Sequence, residues 1–188
     1  MIRIGILGEI GSGKSFVAKV FGYPVFNADY EVSKLYKKDK KLFIKLNKKL
    51  PKYIFKFPID KNQITTAILS NKNNLKKIIT VVHKEIKKKI KLFLKKNKHN
   101  KIVILDIPLL LENKINNKKD ILIFVDSKKK DIEKRLIKRK NFDRKLFNKF
   151  KKLQISSFNK KRKSQFIIKN DFKKQSVKKK IKQILKKI

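Results

Sequence analysis

Apolar residues occur along this chain in two rhythms. Residues 2–7 (IRIGIL), Val25-Phe26, 102–107 (IVILDI), 121–125 (ILIFV) and 166–168 (FII) are short runs with little alternation. Runs of that kind predict strands buried on both faces. Between them the apolar residues recur at helical spacing. Helices are expected from Lys14 to Phe21, from the Asn27-Ala28-Asp29 segment through Tyr36, and over 61–69, where Asp60 and Gln63 resemble a capping box. Leu75, Ile78, Ile79 and Val82 form an i, i+3, i+4, i+7 stripe that continues into, or adjoins, a second one at Ile86, Ile90, Phe93 and Leu94. Further helices are expected at about 128–139 and 143–163. A last one carries Val177, Ile181, Ile184, Leu185 and Ile188 on one face. Residues 37–60, rich in lysine and holding Pro51 and Pro58, read as the least structured stretch. Buried strands alternating with helices predict an α/β fold with a parallel sheet covered on both sides by right-handed crossovers.

Composition changes this picture little but adds a field. The 188 residues suit one compact domain with small inserted lobes, and a hydrophobic share of 40% is enough for a core. Lys and Arg number 55 against 14 acidic residues, a formal charge of +41. One reading is a nucleic-acid binder. The preferred one is a general drift toward lysine at solvated positions. The lysines run along the whole chain, and no aromatic RNA-binding pattern accompanies them. Specific nucleic-acid recognition is therefore not expected, while non-specific binding follows from charge alone. With no cysteine, disulfides and thiolate metal sites are excluded. The apolar runs are too short to span a bilayer, and residues 1–15 lack the features of a signal peptide. The basic last helix reads as packing on the core rather than on a membrane. A cytoplasmic monomer is expected.

Gly8-Glu9-Ile10-Gly11-Ser12-Gly13-Lys14-Ser15 satisfies G-x-x-x-x-G-K-[ST], with a strand before and a helix after. Glycines let the backbone amides of Gly11, Ser12 and Gly13 turn inward as an anion nest at a helix start. Lys14 reaches the β- and γ-phosphates of ATP, and the Ser15 hydroxyl can hold Mg²⁺. All five glycines of the chain lie within its first 22 residues, which asks for a backbone reason.

Carboxylates then fall at strand ends, where ligands of open α/β sheets bind. Asp29, after the second strand, is either the base for an acceptor hydroxyl or a helix N-cap. Asp106 is at the Walker-B position, either for Mg²⁺ or as a turn residue. Asp126 reads as structural. Arg135 and Arg139 are spaced i, i+4 on one helix and Arg144 follows, as phosphate-binding forks on a lid or as a solvated basic face. His83 closes an apolar stripe, as a core histidine or a substrate contact, whereas His99 reads as a loop residue.

Taken together, the segments from Gly5 to Ser15, Val25-Phe26-Asn27-Ala28-Asp29, the Leu75–His83 helix, Leu105-Asp106-Ile107-Pro108-Leu109-Leu110-Leu111-Glu112-Asn113, and the Arg135–Gln154 region followed by Phe166-Ile167-Ile168-Lys169-Asn170 resemble the dephospho-CoA kinase family, in the same order over essentially the whole chain. The resemblance implies a P-loop nucleotide-kinase-like three-layer α/β/α fold in a single domain. Its core is formed by 1–29, 88–137 and 166–188, its helical CoA-binding lobe by about 30–87, and its lid by about 138–165. It implies ATP-dependent phosphorylation of the ribose 3′-hydroxyl of dephospho-CoA with Mg²⁺. Asp29 and Lys14 would be catalytic and Arg139 would act from the lid. Gly11 to Phe16 would hold the nucleotide, and His83, Pro108 and Leu109 would meet the acceptor. Four positions depart from the family pattern: Glu9 and Phe16 stand where glycine and threonine are usual, Asn27 replaces an aspartate, and Lys84 replaces a proline. Two rivals remain open at this point: a P-loop kinase acting on a nucleoside or nucleoside monophosphate, and a basic nucleic-acid-binding protein with a vestigial loop.

Overall fold

The computed structural model describes residues 1–139 and 142–188. Five strands, β1 (Ile2–Gly8), β2 (Val25–Asn27), β3 (Ile102–Asp106), β4 (Ile121–Asp126) and β5 (Phe166–Lys169), form one parallel sheet in the order β2-β3-β1-β4-β5. The helices are α1 (Lys14–Val20), α2 (Ala28–Lys38), α3 (Lys40–Lys49), α4 (Lys61–Ser70), α5 (Lys72–Lys96), α6 (Lys129–Ile137), α7 (Arg144–Leu153), α8 (Ser157–Arg162) and α9 (Lys174–Leu185). The chain divides into two compact units. One comprises Met1–Asn27, Asn97–Asp143 and Phe147–Ile188, and the other Ala28–Lys96 with Arg144–Leu146.

The first unit holds the sheet. Register pairs Ile4 with Ile104 and Ile121, and Ile6 with Ile123. Side chains alternate between faces of a strand, so one face gathers Ile4, Ile6, Ile104, Ile123, Val125 and Ile168. Val17 and Ala18 of α1, Phe21 at its C-terminal cap, and Val177, Ile181 and Ile184 of α9 close over that face. Burying an aliphatic side chain of this size stabilises by about 1.5–3 kcal/mol, which explains why α9 keeps a clean apolar stripe while its outward positions are lysines. On the opposite face Gly5 leaves room for a loop. A Cβ there would lie 2.7 Å from Leu110 and 2.9 Å from Leu122, so only a bare backbone lets the segment after β3 lie on the sheet.

In the second unit α2, α3 and α4 pack on the long α5. The two apolar stripes of 75–94 form one unbroken helix that passes through position 87. The stretch 37–60, expected to be the least structured, is irregular over 50–60 but helical before that. It contains α3, started by Asp39, whose side chain accepts from the Leu42 N–H, and buried through Leu42 and Leu46. Two leucines four apart give enough of an apolar face even when nearly every solvated position is lysine. Asp60 caps α4 by accepting from the Gln63 N–H at 2.8 Å. The return half of a capping box is missing, since the Gln63 side chain bonds Phe55 and Lys56 instead. The single helix expected over 143–163 is two, because Ser156 caps a new helix by accepting from the Asn159 N–H.

Candidate active site

The loop between β1 and α1 turns through Gly11 and Gly13, both at φ 88, a left-handed conformation that side chains resist. Helix α1 starts with no side-chain cap, which suits a helix start that receives an anion. The Lys14 ammonium donates to the carbonyls of Gly8 at 3.2 Å and Glu9 at 2.8 Å, tethered across the loop mouth. The Ser12 hydroxyl is buried and finds no hydrogen-bond partner among the described residues. An orphaned donor inside an anion nest fits a ligand that brings acceptor oxygens. Phe16 packs its ring against the α1–α9 core, leaving its backbone N–H as the group that can serve a ligand.

Support for this loop comes from residues not assigned a role from sequence. The Ser12 carbonyl accepts from Ser127 Oγ and from Asn170 Nδ2, both at 2.8 Å. Asn170 is itself pinned, its N–H donating to the Asp126 carbonyl and its Oδ1 accepting from the Phe172 N–H. A Cβ on Gly13 would meet the Asn170 amide and come within 2.8 Å of the Phe172 ring. Gly11 leaves similar room for Ile132 and Leu136 of α6. Arg135 lies with its guanidinium 4.2 Å from the Phe172 ring centroid, a cation–π contact rather than a free phosphate fork. Arg139 lies beyond the end of α6 and is exposed; Arg144 opens α7. The lid expected at 138–165 includes positions 140 and 141, which lie outside the described residues.

At the next strand end, Asn27 pairs in register with Asp106, and its Nδ2 donates to Asp106 Oδ2 at 2.7 Å. Asp106 is 3% exposed, so the amide supplies a hydrogen bond to a nearly buried carboxylate without adding a second negative charge. Asparagine in place of aspartate thus leaves a single acidic group here. Among the described residues no three His, Asp or Glu side chains gather as a metal cluster. The donor set of Ser15 and Asp106 fits Mg²⁺, which commonly takes one or two protein oxygens together with substrate phosphates and water.

After β3 the chain makes a tight turn in which Leu109 has φ 57 and Leu110 is buried on Gly5. A left-handed leucine is uncommon and persists where surrounding contacts over-determine it. Glu112 ends the turn in an ion pair with Lys160 at 3.1 Å, the two side chains 9% and 4% exposed, and also accepts from the Ile155 N–H. Nothing in the sequence separates Lys160 from its neighbours except position, two turns before a strand. Glu9, whose carboxylate threatens the phosphate loop on paper, accepts a hydrogen bond from Ser157 Oγ. Asp126 is structural, as expected, pairing with Lys161 at 2.9 Å.

In the second unit Asp29 is exposed and is the second residue of α2. It stands inside the first turn, where acidic residues are favoured, and is not the N-cap considered from sequence, because helix begins directly at Ala28. His83 is half-buried on α5, and desolvation, aided by the Lys87 charge, lowers its pKa below the usual imidazole value. It is therefore held toward the neutral form.

A family model described as dephospho-CoA kinase matches residues 2–176. The dephospho-CoA kinase of Wolbachia pipientis wMel is 34% identical over 97% of this chain and 95% of its own. That of Rickettsia typhi is 33% identical over 89% of this chain and 87% of its own. Among solved structures, a Thermus thermophilus protein superposes with TM-score 0.77 at 23% identity, covering 100% of this chain and 97% of that one. The Campylobacter jejuni dephospho-CoA kinase gives 0.64 at 20% identity, covering 98% and 96%. These likenesses show the P-loop-kinase three-layer fold, and neither rival reading of the sequence is favoured by them. Among the described residues no helix is long and apolar enough to cross a membrane.

Proposed function

The chain belongs to the dephospho-CoA kinase family, and on that premise we propose how its residues transfer the γ-phosphate of ATP to the ribose 3′-hydroxyl of dephospho-CoA. Amides of Gly11 to Phe16 hold the β- and γ-phosphates, and Lys14 releases its carbonyls to pair with their oxygens. Ser15 and Asp106 would hold Mg²⁺, which supplies charge neutralisation on the phosphates. Asp29 takes the proton of the 3′-hydroxyl. The freed oxygen bonds to the γ-phosphorus as the bond to the ADP oxygen breaks in line. Arg139 offsets charge on the equatorial oxygens. His83, Pro108 and Leu109 position the acceptor, the neutral imidazole as a hydrogen-bonding group rather than a charge. Such chemistry belongs in the cytoplasm.

The observation that carries this reading is the loop itself, with Lys14 bridging the Gly8 and Glu9 carbonyls beside a buried, unsatisfied Ser12 hydroxyl. A coupled ADP-release assay across dephospho-CoA, adenosine, AMP and CMP tests it. Turnover with dephospho-CoA, at least about tenfold above the others in kcat/KM, and a product bearing a new 3′-phosphate are expected. Preference for a nucleoside or nucleoside monophosphate, or binding of RNA with no ATP turnover, would overturn it.

A further inference from the structure

A carboxylate inside a phosphate-binding loop is an internal competitor for the loop's own donors. Glu9 is in that position, and two of its groups are already engaged: its carbonyl takes the Lys14 ammonium at 2.8 Å, and its carboxylate takes the Ser157 hydroxyl. Ser157 is the first residue of α8, fixed by the Ser156 cap before it. Lys160 and Lys161, three and four positions on, lie on the same side of the helix. They hold Glu112 and Asp126 by ion pairs at 3.1 and 2.9 Å. One face of a short helix therefore takes up three carboxylates, and the one drawn from the phosphate loop is Glu9.

We propose that Ser157 is a positioning residue for nucleotide binding: it parks the Glu9 carboxylate on α8, keeping the loop amides and Lys14 for phosphate. The proposal rests on the ATP-binding reading of the loop. Without the hydroxyl, the carboxylate is released to compete for those same amides and the ammonium, and a bound phosphate then meets a like charge.

ADP affinity measured by titration calorimetry, at low and at moderate salt, tests this without turnover. Ser157→Ala is expected to weaken ADP binding about tenfold at low salt, with the deficit shrinking as salt screens the repulsion. Ser157→Thr keeps the hydroxyl and should bind as the unchanged protein does. Glu9→Gln removes the charge and should tighten binding about threefold, and adding Ser157→Ala to it should then cost nothing. Unchanged affinity in Ser157→Ala would overturn the proposal. So would an equal deficit in the Glu9→Gln background, since Ser157 would then act by packing α8 alone. An unchanged protein that binds no ADP at all would overturn both the proposal and the reading it rests on.

Discussion

In the proposed mechanism Asp29 and His83 are the groups on which the acceptor chemistry depends, and each leads to a distinct measurement. Asp29→Asn keeps the shape and the helix position while removing the proton acceptor. It is expected to lower kcat by about 100-fold or more while leaving ADP affinity, set by the loop amides and Lys14, within about twofold. Near-normal turnover would end its role. His83 has its folded pKa depressed by burial and by Lys87. The unfolded chain therefore binds the proton more readily, and the stabilisation is complete above the unfolded value of about 6.5 and lost as pH falls through the folded one. Urea midpoints below pH 6.5 should fall less steeply in His83→Gln than in the unchanged protein. An identical acid limb would show that another group governs it. Both residues were legible in the sequence as candidates, because an aspartate at a strand end and a histidine closing an apolar stripe stand out. Lys160 and Asn170 were not. A buried lysine among 49 others differs in surroundings, not in type, and those surroundings arise only when distant segments fold together.

Secondary elements were legible in proportion to how little lysine could disguise them. The strands are largely apolar and stood out at once; β3 and most of β4 are buried on both faces and have no solvated position to give up, whereas the edge strand β5 exposes Ile167 and Lys169. Helix α3 was hidden because its apolar residues, Leu42, Phe43, Ile44 and Leu46, form one short cluster rather than a repeated helical stripe, and the break between α7 and α8 because a serine cap is only one residue of signal. The most deeply buried of the contacts that hold α8 is the Glu112–Lys160 pair. Desolvated ions are costly singly and tolerable together, so removing one partner strands the other. Lys160→Met should cost about 3 kcal/mol, a fall in melting temperature of roughly 6–12 °C for a domain of this length. Glu112→Leu with Lys160→Met should recover most of that loss. A double variant as unstable as the sum of the two singles would show that the pair is not coupled.

Charge is the property that belongs to the molecule entire. The outward positions of α9, among them Lys178, Lys179 and Lys182, are exposed, and the acidic residues are far too few to pair the 55 basic ones. Several of those acids are already engaged locally, as with Lys45 and Lys88 on Glu85. The folded state therefore concentrates repulsion that the expanded unfolded chain relieves. Salt acts on this directly, because the screening length falls from about 30 Å at 0.01 M to about 8 Å at 0.15 M. Exposed ion pairs weaken over the same range, but each is worth at most about 1 kcal/mol, and few are present to oppose the gain. Melting temperature should rise by about 5 °C or more between those salt concentrations, or roughly 2 kcal/mol at this size. Over the same range KM for ATP should increase, as the field that draws a tetra-anion toward the loop is screened. Scanning calorimetry and initial rates across a salt series measure the two together. A melting temperature that falls with salt would mean that local pairs, not the net field, dominate the electrostatics of folding. A KM indifferent to salt would confine phosphate recognition to the loop's own dipoles and Lys14.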